Sequence, residues 1–142
     1  MKVTDAGGKV ASFRANEESY RFVRDMELKG LVVPVTGDFA GPKAIRAIAQ
    51  YLRDHDAIVS TFYVSNVEAY LLNPNPRIPA IVNGGWKNYM ANVMALPIDD
   101  AGVFLRWPET STPGQVDFIQ DTLRADREVQ IKSISDLTRN RR

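Results

Sequence analysis

Residues 31–43 read Leu-Val-Val-Pro-Val-Thr-Gly-Asp-Phe-Ala-Gly-Pro-Lys, and this stretch decides the predicted fold. Its first six residues form an almost continuous apolar run, which is typical of a strand buried on both faces. Pro34 restricts that strand to a sheet edge or breaks the ladder there, because proline has no backbone N–H to donate. The two glycines then bound a short loop, and Pro42 suits the first position of a helix. The stretch therefore predicts a strand, a glycine loop and a helix over residues 42–54.

A second strand is predicted over residues 57–64, Ala-Ile-Val-Ser-Thr-Phe-Tyr-Val, where β-branched and aromatic residues dominate. The helix between the two strands makes them parallel, because a helical crossover returns the chain to the same end of the sheet. Residues 103–107 predict a third strand. This order of elements predicts the α/β class in a three-layer, Rossmann-like arrangement, with a small, mostly parallel sheet of about three strands flanked by helices.

Capping residues and apolar spacing predict the other helices. Asn16 is a good N-cap for a helix that ends near Gly30. Ser65 and Glu68 fit a capping box at the start of a short helix, with the serine at the N-cap and the glutamate three residues later. The remaining helical segments are residues 86–95, residues 116–127 and one turn at 135–137.

The length of 142 residues suits one domain, so we predict a single α/β domain over residues 1–142. Polar, glycine-rich and proline-rich segments interrupt the periodic patterns and are predicted to be irregular. These segments are a loose N-terminus at 1–14, loops at 73–85 and 108–114, and a basic tail at 139–142.

Composition excludes several classes of protein. The net charge is +1, from 18 basic and 17 acidic residues, which is no electrostatic footprint for nucleic acid. The chain has no cysteine, so disulfides, thiolate nucleophiles and cysteine metal sites are excluded. No window approaches the roughly 18 apolar residues of a membrane span, and the first eight residues lack the apolar core of a signal peptide. We therefore expect a cytoplasmic protein that binds neither nucleic acid nor a membrane.

The candidate ligand site lies where the first two predicted strands end. Ligands of open parallel sheets bind outside the carboxyl ends of the strands, and the N-terminus of the following helix favours an anion. Asp38 is positioned to accept a hydrogen bond from a ligand hydroxyl or amine. The predicted ligand-binding residues are Gly37, Asp38, Gly41, Tyr63, Ser65 and Asn66. The structural alternative is that the glycines permit a tight turn and that Asp38 bonds its own loop.

The residue pattern gives little support for a phosphate-binding loop, a catalytic histidine or a metal site. A Walker loop needs four residues between its glycines, whereas three separate Gly37 from Gly41. His55 is the only histidine and lies at the amino end of the second predicted strand, so we expect a surface role for it. No metal site is predicted, and the catalytic residues stay unassigned.

Two segments carry a family pattern: residues 37–44, Gly-Asp-Phe-Ala-Gly-Pro-Lys-Ala, and residues 62–71, Phe-Tyr-Val-Ser-Asn-Val-Glu-Ala-Tyr-Leu. Tyr-Met-Ala-Asn-Val at 89–93, Leu-Pro at 96–97 and Val-Phe-Leu-Arg at 103–106 continue it. The pattern resembles the C-terminal half of an uncharacterised bacterial family whose fold is similar to Rossmann-type methyltransferases. The resemblance covers at least residues 15–107. It implies a methyltransferase-like fold and a separate cofactor-binding half outside this chain, but no catalytic residue.

Two functional hypotheses follow from these observations. The first is a methyltransferase-like domain that contributes part of a small-ligand or S-adenosylmethionine site. The second is a non-catalytic interaction or homodimerisation module that lacks the cofactor-binding half. In the second, a sheet edge or an aromatic face around Trp86 and Trp107 binds a partner or a second copy, because open edges invite pairing. The expected partners are thus a small molecule, a separate cofactor-binding half or another copy of the chain.

Overall fold

The computed structural model describes residues 12–72, 85–107, 114–129 and 131–139. Most of the segments predicted to be irregular lie outside these described residues, namely 1–11 of the N-terminus, 73–84 and 108–113 of the loops and 140–142 of the tail. The chain divides into two compact units, one up to Val35 and one from Thr36 onward, and each is described by itself. That the chain is a single domain stays a prediction.

Helix α1 (Glu17–Leu28) lies in the first unit, and its ends match the sequence signals. The side chain of Asn16 accepts a hydrogen bond from the backbone N–H of Ser19 at 2.8 Å, as an N-cap does. Gly30 has a φ of 67°, the left-handed conformation that glycine adopts without strain just after a helix. The predicted cap and stop of this helix are therefore confirmed.

Residues 31–36 form no strand, so the first predicted strand is wrong. Their apolar side chains are open to solvent, with Val32 47% and Val33 68% exposed. Pro34 has no N–H to donate, and none of the described strands pairs with this segment. An apolar run without a partner strand and without burial lacks both forces that would hold it in a sheet.

The second unit contains the remaining helices and the sheet. Its helices are α2 (Ala44–Asp54), α3 (Val67–Leu72), α4 (Gly85–Met94), α5 (Ile119–Val129) and α6 (Ile134–Arg139). Its strands are β1 (Thr61–Ser65), β2 (Val103–Arg106) and β3 (Gln115–Phe118). The predicted helix at 42–54 begins two residues after Pro42, and the predicted strand at 57–64 begins only at Thr61. The helices predicted at 86–95 and 135–137 and the strand at 103–107 are confirmed within a few residues.

The described strands form one sheet in the order β1-β2-β3. β1 and β2 are parallel, whereas β2 and β3 are antiparallel. The α/β class is confirmed, but the sheet is not mostly parallel. The difference arises because the predicted strand at 31–36 is not part of the sheet. Its place among the three strands is taken by residues 115–118, which were predicted in part as the start of the helix at 116–127.

The main hydrophobic core lies between one side of this sheet and helices α3, α4 and α5. Val64 and Phe104 come from the strands, Tyr89 and Val93 from α4, and Ile119 from the start of α5. Each of these five residues is at most 1% exposed. Helices α3, α4 and α5 therefore bury one side of the sheet.

Candidate functional site

The side of the sheet that faces away from the core carries a contiguous set of uncharged, mostly apolar side chains. The strand register aligns them in two rows across the three strands, Tyr63, Leu105 and Val116 in one and Thr61, Val103 and Phe118 in the other. Trp107 continues the same side of β2, and its ring lies over Gly114, where an added Cβ would be 2.9 Å from Trp107 Cζ3. We call these six residues, together with Trp107, the open face.

The open face is accessible to solvent over most of its extent. Tyr63 is 62% exposed, Val116 65%, Phe118 52% and Trp107 47%. Leu105 and Val103, on the central strand, are half-buried between these neighbours. The largest apolar patch on a typical monomer measures roughly 300–600 Å² and is often functional. The open face, with three large aromatic residues and three aliphatic ones, is therefore a candidate functional surface.

In strand β3 the polar and apolar side chains face the opposite way from those of an ordinary strand with one face in water. Such a strand normally turns apolar side chains to the core and polar ones to water. In β3 the polar Gln115 and Asp117 turn inward, while Val116 and Phe118 turn outward. We call the inward side of the sheet the covered face, and it consists of Phe62, Val64, Phe104, Arg106, Gln115 and Asp117.

A buried ion pair lies on the covered face. Arg106 of β2 donates from Nε to Glu68 Oε2 of α3 at 2.5 Å and from Nη2 to Glu68 Oε1 at 3.2 Å. The two side chains are only 1% and 3% exposed. A bidentate arrangement of this kind suits the planar guanidinium, because each carboxylate oxygen meets its own N–H group. The pair therefore satisfies two charges that burial alone would make costly.

Further polar groups complete this network. Arg106 Nη1 donates to Asp117 Oδ2 at 3.0 Å, and Nη2 donates to Thr122 Oγ1 at 3.0 Å. The Tyr89 hydroxyl donates to Glu68 Oε1 at 3.2 Å. Burial first, and then the negative charge of Glu68, raise the pKa of the Tyr89 hydroxyl well above its usual value. Tyr89 is therefore a hydrogen-bond donor that stays protonated at neutral pH.

The network corrects one sequence interpretation and includes residues that the sequence did not indicate. Glu68 was expected to cap α3 with Ser65, but its carboxylate bonds Arg106 and Tyr89 instead. Ser65 is the last residue of β1 and has a φ of 49°, so it is no N-cap. The local pattern matched a capping box, whereas the true partner lies 38 residues away. A charged residue ending an apolar strand, as Arg106 does, was the available signal.

The glycine loop predicted to bind a ligand is held by bonds within the chain. Asp38 Oδ1 accepts from the backbone N–H of Ala40 at 2.9 Å, which is the turn-forming role weighed as the alternative. A Cβ at Gly37 would overlap the Cβ of Ala44, so this position needs glycine for close approach. The side chain of Asn92 also donates to the carbonyl oxygen of Gly41 at 2.8 Å.

The other predicted ligand residues lie at the end of β1, as expected, but they do not share one surface. Tyr63 belongs to the open face, while Ser65 is half-buried and its carbonyl accepts from the backbone N–H of Trp107 at 2.7 Å. The backbone carbonyl of Asn66 accepts from Ala69 N–H at the start of α3. A ligand role for Gly37, Asp38, Gly41, Tyr63, Ser65 and Asn66 stays a prediction.

Trp86 and Trp107, expected to form one aromatic face, lie on different sides of the sheet. Trp86 packs against the core and donates from Nε1 to Asp126 Oδ1 at 2.7 Å, whereas Trp107 belongs to the open face. His55 is exposed at the end of α2, where its ring stacks on Tyr51 at 4.1 Å.

The described residues contain neither a metal-binding cluster nor a helix that could span a membrane. Within the described ranges, no three His, Cys, Asp or Glu side chains come together as a metal centre would need. Among the same residues, no helix combines the length and the apolar character that crossing a membrane requires.

Comparison with known proteins places the chain in one family. Residues 1–138 match the family model described as Domain of unknown function (DUF7790). The match spans nearly the whole chain and therefore includes every residue of the open face and of the buried network. No curated protein matches the chain.

Proposed function

We propose that this chain, which belongs to the DUF7790 family of domains of unknown function, is an interaction module that pairs with a second copy through its open face. The observation that carries the proposal is the reversed polarity of β3, with Val116 and Phe118 outward and Gln115 and Asp117 inward. A strand shaped only by folding would place the apolar pair inside. Its outward apolar side chains suit contact with another protein.

The area of the open face is sufficient for a specific contact. A whole aromatic side chain buries roughly 150–250 Å². Three half-exposed aromatic residues and their aliphatic neighbours therefore offer on the order of 500 Å² of surface per copy. Two copies together would bury about 1,000 Å², the size at which a biological interface becomes credible. This area favours a reversible dimer over a permanent one.

The chemistry of the open face favours a second copy over an unrelated partner. None of its seven residues carries a charge, and homodimer interfaces are the most apolar class of interface. A two-fold axis brings the same surface of each copy together, so an uncharged patch meets another uncharged patch without repulsion. A charged partner surface would find no residue of opposite charge on the open face.

The proposed dimer also offers a way to complete the predicted three-layer arrangement. A three-layer, Rossmann-like arrangement needs helices over the open face as well as over the covered face. In the proposed dimer a second sheet occupies that position, and the two sheets pack face to face at about 10 Å. The methyltransferase-like hypothesis and S-adenosylmethionine binding remain predictions. The segment that was to supply their first strand, residues 31–36, is not in the sheet.

Sedimentation equilibrium tests the pairing, with protein loaded from about 1 to 200 µM to span micromolar dissociation constants. We expect the average mass to rise from 15.9 kDa toward twice that value as the concentration increases. Phe118→Lys should weaken association at least tenfold, because each dimer would then bury two uncompensated charges.

Tyr70→Lys is the matched control. Tyr70 lies on α3, outside the open face, and its exposed fraction of 52% equals that of Phe118. The control should associate as the parent does. A parent mass of 15.9 kDa at every concentration would overturn the proposal. So would equal weakening by the two lysine substitutions.

A further inference from the structure

A cavity of about 380 Å³ lies beside the edge strand β3, on the side away from β2. Helix α5 and the chain from Ile131 to Leu137 form its other walls. Small-molecule sites occupy roughly 300–1,000 Å³ and combine apolar walls with a few polar groups. Ala125, Ile131 and Leu137 supply apolar wall here, and Gln115 and Asp117 of the covered face supply polar groups. The cavity therefore has the size and composition of a small-ligand site.

Gln115 is the polar group that the fold leaves unsatisfied. The residue lines the cavity and is only 8% exposed, and its Oε1 atom has no hydrogen-bond partner among the described residues. A buried acceptor without a partner destabilises the fold, because it has lost its hydrogen bonds to water and gained none in exchange. That cost disappears when a ligand N–H or O–H group donates to Oε1. The atom has less than 1 Å² of accessible surface, so the Gln115 side chain must turn toward the cavity to accept this bond.

The charged residues around the cavity favour a ligand whose hydrogen-bond donor is positively charged. Three carboxylates line it, but Asp121 pairs with Arg124 at 3.1 Å and Asp136 accepts hydrogen bonds from the backbone N–H groups of Lys132 and Ser133. Asp117 is therefore the carboxylate that matters for a ligand, and no lysine, arginine or histidine lines the cavity among the described residues. Asp117 retains 20% side-chain exposure and bonds Arg106 through one oxygen, Oδ2. Within the buried network, two carboxylates, Glu68 and Asp117, share the single guanidinium of Arg106. Formally one negative charge is left over, and a positively charged ligand would balance it.

We propose that this cavity binds the ammonium group of a small alkylamine. Gln115 and Asp117 are two residues apart on the covered face, so their Cα atoms lie about 7 Å from one another. One ammonium group between the two side chains can donate to Gln115 Oε1 and to the Asp117 carboxylate. Its alkyl chain then lies against Ala125, Ile131 and Leu137. The polar groups of the site belong to the covered face, and Val116 and Phe118 of the open face also line the cavity.

The proposal predicts selectivity for charge among ligands of equal size. Titration of ¹⁵N-labelled protein with n-pentylammonium chloride should shift the amide signals of β3 and α5. We expect 1-pentanol to bind at least tenfold more weakly, because it brings no charge to Asp117, and pentanoate to leave these signals unmoved. Equal affinity for the amine and the alcohol would reduce the cavity to an apolar crevice and overturn the proposal.

Substitution of the unsatisfied glutamine gives the second measurement. Gln115→Leu removes the acceptor at nearly constant volume and should weaken pentylammonium binding at least tenfold while the fold is kept. Gln120→Leu, on α5 outside the cavity lining, is the matched control and should bind as the parent does. Unchanged affinity in Gln115→Leu would also refute the site. If that variant fails to fold, the comparison of amine with alcohol on the parent decides alone.

Discussion

The two faces of the sheet invert the usual distribution of polarity. The covered face holds a buried arginine, Arg106, with Gln115 and Asp117 beside it, although helices shield it from water. The open face presents Tyr63 and Phe118 to solvent at more than half of their surface. Alternation along a strand thus separates two faces, but it does not say which one meets water. In this chain that choice is made by the helices and by the partners of the polar groups.

The difference follows from where each polar group finds its partners. Glu68 of α3 and Thr122 of α5 bond Arg106, and Tyr89 of α4 bonds Glu68, so the covered face can bury a charge. Among the described helices of the second unit, none lies over the apolar rows of the open face, whose residues stay exposed or half-buried. The covered face thus buries a compensated charge, whereas the open face exposes aromatic rings to solvent.

The largest effect should come from breaking the buried ion pair. Arg106→Met leaves Glu68, which is 2% exposed, without its counter-ion. We expect the free energy of unfolding to fall by about 3–5 kcal/mol. Urea denaturation followed by circular dichroism measures this loss directly.

The control for this prediction removes both charges. Glu68→Gln with Arg106→Met leaves no uncompensated ion, so the double variant should be more stable than Arg106→Met alone. A double variant as unstable as the single one would mean that packing, and not the charge, makes Arg106 important. The covered face would then resemble an ordinary apolar core.

A matched pair of valines compares the two faces with one and the same chemical change. Val64 on β1 is 1% exposed on the covered face, whereas Val116 on β3 is 65% exposed on the open face. Val64→Thr buries a hydroxyl and should cost about 1–3 kcal/mol. Val116→Thr should stay within about 0.5 kcal/mol when the protein is dilute enough to be monomeric. Equal costs in dilute urea titrations would contradict the assignment of the two faces.

The helices could be predicted from sequence because their signals are local. Asn16 caps α1 three residues before the N–H that it binds, and Gly30 ends the same helix. The strands depend on partners that lie far away along the chain. Residues 31–36 have the stronger apolar run but no partner, while β3 has only four residues and gains its place by pairing with β2.

The polar network could not be predicted for the same reason. Glu68 has a plausible local role three residues after Ser65, and that pattern concealed its bond to Arg106, 38 residues away. Asp38, in contrast, has the local bond to Ala40 N–H that was weighed as the structural alternative to a ligand role. Sequence reasoning succeeded where a side chain bonds its own turn and failed where two elements meet.

A smaller loss than that of Val64→Thr is expected at neutral pH from removing the hydroxyl of Tyr89 on the covered face. Tyr89→Phe removes its hydrogen bond to Glu68, which still has Arg106, so the loss at pH 7 should be about 0.5–1.5 kcal/mol. Burial and the charge of Glu68 raise the pKa of Tyr89 in the folded protein. The stability that this hydroxyl contributes is complete below the unfolded pKa of about 10.

Above that pH the free energy of unfolding should depend on the protonation of Tyr89. The unfolded chain then loses the Tyr89 proton while the folded chain keeps it, so the free energy of unfolding falls with rising pH. One site accounts for at most about 1.4 kcal/mol per pH unit. The parent should therefore lose stability more steeply than Tyr89→Phe between pH 10 and the folded pKa, and the two curves should converge. Urea titrations at closely spaced pH values measure both slopes. Parallel slopes would show that the Tyr89 hydroxyl titrates as it does in the unfolded chain, which a group enclosed beside Glu68 cannot do.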